Sequence, residues 1–230
     1  MIQRLEPGNL STRVYSTLRE ALISGAFGPG QRLVLQDLAD KLGTSVTPVR
    51  EACLRLVSER GLEMRSGRFV TVPALDLPRY LEIRTIRIAL EGLAAERAAE
   101  HATPEDIGHL RAIQTKFEAA RNAGDATTAN RLNRDFHFGV YRLSRLEMLV
   151  AQIESLWVSM GPILKVYHED IPPDYLIADE HIHLIEALER RDGPKARRAM
   201  EQDILRGGEG IVAYLTKSAA GTEPLKAASR

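Results

Sequence analysis

Residues 38–56, LADKLGTSVTPVREACLRL, contain two short runs with apolar residues at helical spacing, separated by Gly43, Thr44 and Ser45. The second run carries Pro48 and Arg50 in its first turn. Proline is tolerated at the first helical position because its missing N–H would have had no partner inside the helix. The stretch therefore predicts two helices joined by a tight turn, with the second helix beginning near Ser45.

The flanking segments complete a winged helix-turn-helix, which we assign to residues 1–73. They add a helix capped by Ser11 before the stretch and a β-hairpin in LEMRSGRFVTV, residues 62–72, after it. The first helix of the stretch itself runs from about Leu35 to Leu42. Three helices followed by a hairpin is the element order of that fold.

The start of the third helix has the chemistry of a DNA-contacting element. Hydroxyls of Thr44, Ser45 and Thr47 lie at the free N–H groups of the helix, where they can bind phosphates, and Arg50 can reach a base edge or a phosphate. In the hairpin, Arg65 and Arg68 flank Gly67, a pattern that suits a minor groove. A well-capped helix in a small helical domain, with solvated arginines in the turn, is the alternative.

Composition limits the class of protein. The 230 residues carry no formal net charge, but residues 1–73 hold ten basic and seven acidic side chains, so that the remainder is acidic by three. A single cysteine, Cys53, excludes an internal disulfide framework. Neither a signal peptide nor an uncharged apolar run long enough to span a bilayer is found, which predicts a cytoplasmic protein without membrane contact.

The second half predicts an all-helical domain, so the fold class is mainly α. We predict a linker at residues 74–78, a bundle of six helices at 79–216, and a disordered tail at 217–230.

Three of these helices place polar residues on inward faces. Asn133 and His137 are four residues apart on one helix face, and His181 lies in line with Leu184 and Leu188. Asp203 also falls on an apolar face. A carboxylate and two imidazoles from three helices are typical of a metal site in a bundle. Histidines that satisfy hydrogen bonds in the core are the alternative.

Residues 15–56, YSTLREALISGAFGPGQRLVLQDLADKLGTSVTPVREACLRL, resemble the DNA-binding domain of the GntR family of bacterial transcription regulators. The shared pattern is a PG-x-x-L turn, an LA-x-x-LG helix and an S-x-TPVREAL helix. The resemblance implies a homodimer on a palindromic operator in double-stranded DNA, most often as a repressor. The DNA-binding residues it implies are Gln36, Thr44, Ser45, Val46, Thr47, Pro48, Arg50, Arg65, Gly67 and Arg68.

This chain departs from the family pattern at three of its positions. Val46 stands where the family usually has Arg, and Gln36 stands where members that use three arginines have one of them. Arg50 is kept. Arg60 stands where a Gly is expected before the first wing strand, and Gly61 follows it. The operator is therefore expected to differ from that of the three-arginine members.

The second half resembles the FCD ligand-binding domain of the FadR-like branch, through NRDFHFGVYRLS (133–144) and DEHIHLIEALERRD (179–192). Six helices would place it in the VanR-like subgroup. The resemblance implies a divalent metal (Zn, Mn or Ni) held by Asn133, His137, His181 and Asp203, the last replacing a family His. It also implies a small organic-acid effector.

Arg84 and Arg87 are the candidate effector-binding residues, because the resemblance makes an inward arginine a clamp for the effector carboxylate. The alternative is an i,i+4 ion pair between Arg87 and Glu91.

We therefore expect an effector-modulated transcription regulator and no enzyme. A metal-dependent enzyme using the His and Asp residues of the bundle is the alternative. It is disfavoured because no nucleophile or general base is found beyond the ligands themselves.

Overall fold

The computed structural model describes residues 9–170 and 179–219. Contacts divide them into two compact units. The first unit comprises the residues up to Leu75 together with Trp157–Lys165, and the second comprises Asp76–Leu156 and the described residues from Val166 onward. No helix within these ranges is both long and apolar enough to cross a membrane.

The first unit is a winged helix-turn-helix, as predicted. Its elements in chain order are α1 (Asn9–Ile23), β1 (Arg32–Val34), α2 (Leu35–Lys41), α3 (Val46–Ser58), β2 (Glu63–Ser66) and β3 (Phe69–Thr71). The three strands form an antiparallel sheet with β3 in the centre. Fully buried Leu22, Val49, Leu56 and Val70 join the helices to the sheet, so the apolar spacing of the sequence forms this core.

Two local expectations for this unit were wrong. Helix α1 begins at Asn9, so Ser11 lies inside the helix and its hydroxyl donates to the Glu51 carboxylate instead of capping. Strand β1 was not predicted, because its three residues are too few to show an alternating pattern. Its one buried residue, Leu33, pairs with Val70 of β3 and extends the hairpin to a sheet.

The described residues from Leu77 onward are mainly helical. It contains α4 (Leu77–His101), α5 (Pro104–Asn122), α6 (Ala126–Leu143), α7 (Glu147–Asp170), α8 (Asp179–Glu189), α9 (Gly193–Gly207) and α10 (Glu209–Ala219). In the second unit α4 packs along α9 and α6, while α8 packs against α9 and α5. This packing brings the inward faces of α5, α6, α8 and α9 together.

The described residues thus contain seven helices here, and the prediction of six was wrong. The residues predicted as the last helix form α9 and α10, with Gly208 between them as the C-cap of α9. The glycine lowers helix propensity at this point. The helix count therefore gives no support to the six-helix subgroup.

The ends of the second domain also differ from the predicted boundaries. Helix α4 begins at Leu77, inside the predicted linker, because the Asp76 side chain accepts a hydrogen bond from the Arg79 N–H at 2.9 Å. Lys217–Ala219 are the last residues of α10, and the rest of the predicted tail, 220–230, lies outside the described residues.

Candidate functional site

The start of α3 and the turn between β2 and β3 form one polar surface of the first unit. Thr47 and Arg50 are exposed on the helix, as are Gly67 and Arg68 in the turn. A Cβ built on Gly67 would lie 3.4 Å from Nη1 of Arg50, so the helix and the wing are neighbours. Across the described part of the chain, no hydrogen bond or ion pair engages Arg50. Its guanidinium is available to an acceptor outside the protein.

The two hydroxyls before α3 do not cap the helix. Ser45 is the N-cap residue with extended backbone, yet its side chain makes no capping hydrogen bond. Thr44 Oγ1 is buried and has no partner among the described residues. Helix α3 begins at Val46, so Pro48 is its third residue rather than its first, although it still falls among the four whose N–H has no internal partner. The exposed Ser45 hydroxyl and the N–H groups at the start of α3 are free to meet phosphate oxygens, whereas the buried Thr44 hydroxyl is not.

Other residues on this surface are held within the chain. The Gln36 amide donates to Asp40 Oδ1 at 2.8 Å, and Arg65 binds the Glu63 carboxylate and, at 3.1 Å, Thr71 Oγ1. Val46 and Pro48 are half-buried. The structure therefore places all the predicted DNA-binding residues in the first unit, and among the described residues neither Arg50 nor Arg68 has a side-chain hydrogen bond or ion pair.

The second unit brings together three of the four predicted metal-ligating side chains. His137 Nε2 lies 3.2 Å from Asp203 Oδ2, and His181 Nε2 lies 3.6 Å from Asp203 Oδ1. The two Nε2 atoms are 3.4 Å apart. Zinc ligands at tetrahedral positions lie about 3.3 Å apart, given bonds of about 2.0–2.1 Å. The donor set and its spacing thus fit a divalent cation of the zinc type.

Each imidazole has a hydrogen-bond partner on the side away from the cluster. His137 Nδ1 is 3.2 Å from the Tyr141 hydroxyl, which in turn donates to Glu91 Oε2 at 2.6 Å. His181 Nδ1 is 2.7 Å from Gln114 Oε1. Such outer partners orient the ligands of metal sites.

Burial controls the charges of the cluster. It lowers the pKa of His181 to about 4, because the buried imidazolium is poorly solvated, although Asp203 opposes the shift. Burial alone would raise the pKa of the Asp203 carboxyl, but the nearby His137 and His181 outweigh it and hold that pKa below its ordinary value. The carboxylate is therefore ionised and His181 is neutral at pH 7, which are the forms that bind a metal.

Asn133 and His183 complete the inventory of predicted residues near the cluster. Asn133 is half-buried one helical turn before His137, and its role as a ligand stays a prediction. His183 lies two residues past His181 on α8 and outside the cluster. It is largely exposed and pairs with Glu180 at 3.3 Å.

The two arginines proposed for the effector differ in their surroundings. Arg87 is buried, and its Nε and Nη2 donate to the two Glu91 oxygens at 2.6 and 3.1 Å. This is the i,i+4 pair considered above, inside the bundle. Arg84 is half-buried, with its guanidinium carbon 5.8 Å from the centre of the Tyr80 ring. Arg84 is the more accessible of the two.

Gln114 and Tyr141 were not among the residues predicted for the site. Tyr141 follows His137 by four residues on α6, and this i,i+4 spacing was a signal that could have identified it. Gln114 lies on α5, which carries none of the predicted ligands, and nothing in the local pattern distinguishes it. Only the packing of α5 against α8 brings it to His181.

Comparison with known proteins agrees with both units. Residues 10–72 match the family described as bacterial regulatory proteins, gntR family, and residues 82–206 match the FCD domain. The HTH-type transcriptional regulator McbR of Escherichia coli is 37% identical over 198 residues, which cover 84% of this chain and 89% of that protein. The Uxu operon regulator of Haemophilus influenzae is 27% identical over 84% of this chain and 78% of its own length.

Solved structures agree as well. The structure of E. coli McbR/YncC superposes with a TM-score of 0.83 at 33% identity, covering 95% of this chain and all of that one. The matching families and relatives are transcription regulators and not enzymes. With its winged helix-turn-helix and its FCD domain, this chain belongs to the GntR family of bacterial transcription regulators.

Proposed function

We propose that this protein is a cytoplasmic, homodimeric repressor that binds a palindromic operator, and that a small organic-acid effector modulates its affinity for that operator. The observation that supports DNA binding most directly is the unpaired Arg50 guanidinium beside Gly67 of the wing. An unpaired exposed arginine at the start of a recognition helix suits a guanine edge or a phosphate.

The neighbouring groups support the same role. Ser45 is exposed and its side chain caps nothing, so its hydroxyl can hold a phosphate that fixes the position of α3. Val46 offers an apolar surface where the family usually has a cation. The operator is therefore expected to contain fewer arginine-contacted guanines than those of three-arginine members.

We further propose that the second unit holds a divalent metal through His137, His181 and Asp203, with Asn133 as the fourth ligand. Zinc, manganese and nickel suit imidazole and carboxylate donors. The metal would act as a Lewis acid that binds an effector carboxylate. Arg84, half-buried on α4, would bind a second anionic group of the effector. Arg87 would contribute indirectly, since Glu91 occupies its guanidinium.

Selection of bound duplexes from a random DNA pool, at near-physiological salt, tests the proposed operator. We expect an enriched palindrome. Arg50→Ala should then weaken binding to that palindrome by about 1–3 kcal/mol, or about 5- to 150-fold, and should relax selectivity at one base in each half-site. Titration of labelled operator and of single-base variants measures both effects.

Arg55→Ala is the matched control. It removes the same charge from the same helix, but the Arg55 guanidinium is held 3.7 Å from the centre of the Tyr15 ring. Any loss in this variant should be uniform across sequences. Unchanged operator affinity in Arg50→Ala, or equal and sequence-independent losses in the two variants, would contradict the assignment of Arg50.

A further inference from the structure

The hydrogen bonds behind the two clustered histidines determine where each ring carries its proton. We propose that Tyr141 and Gln114 are positioning residues that hold His137 and His181 as Nδ1–H tautomers, so that both Nε2 lone pairs face the same centre. The inference rests on the proposed metal site for its purpose, but the tautomers themselves can be tested without any metal.

The argument for His137 is a count of protons. The Tyr141 hydroxyl has one hydrogen, which it donates to Glu91 Oε2 at 2.6 Å. Toward His137 Nδ1, 3.2 Å away, the same oxygen can therefore only accept. The proton of a neutral His137 consequently lies on Nδ1, and its Nε2 presents a lone pair to Asp203 and His181.

Glu91 keeps its acceptor role because Arg87 fixes it. Both guanidinium contacts, at 2.6 and 3.1 Å, hold the carboxylate in one orientation inside the bundle. The buried Arg87 of α4 thus acts on the cluster indirectly, through Glu91 and Tyr141. This gives the buried ion pair a purpose other than stability, to which such pairs contribute little.

The argument for His181 rests on the orientation of an amide. The Gln114 amino group donates to Glu118 Oε1 at 2.9 Å, and a carboxylate accepts only from that end of the amide. The carbonyl oxygen of Gln114 is left to face His181 Nδ1 at 2.7 Å, where it accepts a proton. His181 therefore also carries its proton on Nδ1.

The consequence is an electron-rich centre. Two nitrogen lone pairs and a carboxylate converge, with the nitrogens 3.4 Å apart and each within 3.6 Å of an Asp203 oxygen. No donor hydrogen lies among these atoms when both rings are neutral. Such a cluster repels itself unless a cation occupies it, so Tyr141 and Gln114 keep the site in its metal-binding form.

Long-range proton–nitrogen NMR of metal-free protein with ¹⁵N-labelled histidine tests the tautomers directly. At about pH 8, where ordinary imidazoles are neutral, the wild type should show His137 and His181 as Nδ1–H tautomers. Tyr141→Phe removes the acceptor behind His137, so its proton should move to Nε2, toward Asp203, while His181 stays unchanged. Gln114→Leu should move the proton of His181 to Nε2 and leave His137 as the Nδ1–H tautomer.

Tyr80→Phe is the matched control for loss of a buried hydroxyl. Tyr80 is fully buried in the same unit, but its hydroxyl contacts the Gly208 carbonyl at 3.5 Å and not the cluster. Both tautomers should persist in this variant. An Nε2–H tautomer at either ring in the wild type overturns the proposal for that ring, as does an unchanged His137 in Tyr141→Phe. If Tyr141→Phe does not fold, Gln114→Leu still decides the case at His181.

Zinc affinity gives the second readout, measured by competition with a chromophoric chelator. Tyr141→Phe and Gln114→Leu should each weaken binding about 10- to 100-fold, with Tyr80→Phe unchanged. Wild-type protein with both Nδ1–H tautomers but no zinc binding would refute the metal site and leave the positioning roles intact. Zinc binding that is equally tight in all variants would refute the positioning roles of Tyr141 and Gln114 and leave the metal site intact.

Discussion

At the scale of the residue, Arg60 occupies a position that suits glycine. Its φ is 60°, in the left-handed region, just after α3, where its N–H bonds to the Val57 carbonyl and that of Gly61 to Leu56. A left-handed conformation destabilises the folded state by about 1–2 kcal/mol for a residue with a Cβ. Glycine avoids this cost, but its greater freedom in the unfolded chain lowers the free energy of unfolding by about 0.5–1 kcal/mol. We therefore expect Arg60→Gly to stabilise the protein by up to about 1 kcal/mol.

Urea unfolding of the full chain at pH 7 measures this difference. Arg60→Ala is the control, because it removes the same guanidinium but keeps the Cβ and hence the backbone strain. It should give no gain. A stabilised Ala variant, or a destabilised Gly variant, would show that the side-chain contacts of Arg60 outweigh its backbone conformation.

Single residues also show how far helix periodicity alone can predict a site. His137, His181 and Asp203 could be placed inward because each shares a face with apolar residues, and the structure brings them within 3.6 Å. The partners behind them could not be found in the same way. Gln114 reaches His181 across 67 positions of the chain, and such contacts depend on packing between helices that local spacing does not encode.

At the scale of the element, acidic side chains hold the starts of three helices in the second unit. Asp125 and Asp192 cap α6 and α9, and Asp106 closes a capping box with Thr103 on α5. Hydrogen bonds from the side chains and backbone N–H groups of Thr103, Thr128 and Lys195 lower the pKa of these three carboxyls.

These caps predict a loss of stability in acid. A carboxyl whose pKa is lower in the folded state stabilises the fold above its unfolded pKa, about 3.9, and loses that contribution as pH falls through the folded pKa. Asparagine caps almost as well but does not titrate. We expect a protein carrying Asp106→Asn, Asp125→Asn and Asp192→Asn to match the wild type at pH 7 and to lose less stability below about pH 4.

Urea unfolding at a series of pH values compares the two proteins, and parallel acid limbs would contradict the prediction.

The same caps explain which elements the sequence could predict. Thr103 and Pro104 mark the start of α5 in a way that the sequence alone can show, because capping is a local property. Strand β1 was missed since its existence depends on pairing with β3, and the break at Gly208 was missed since apolar spacing continues through it.

At the scale of the whole molecule, the proposed function requires the metal cluster and the DNA-binding surface to be energetically coupled. Coupling between two sites is typically about 1–3 kcal/mol, or about 5- to 150-fold in affinity. We expect zinc to change operator affinity by a factor within that range. Fluorescence titration of the selected operator, with zinc and with chelator, measures the factor. His181→Ala should abolish it, whereas His183→Ala, two residues along α8 but exposed and outside the cluster, should retain it.

Thermodynamic linkage makes this prediction stricter, because coupling of two binding equilibria is reciprocal. If zinc changes operator affinity by a given factor, the operator must change zinc affinity by the same factor, and chelator competition with and without DNA measures it. Equal factors would establish that one protein population binds both ligands. A change in operator affinity that persists in His181→Ala would instead mean that zinc acts elsewhere on the protein or on the DNA. No change in operator affinity would mean that zinc binds the two states of the protein, with high and low affinity for the operator, equally well. Such a ligand does not shift the equilibrium between them. The organic acid alone would then regulate operator binding.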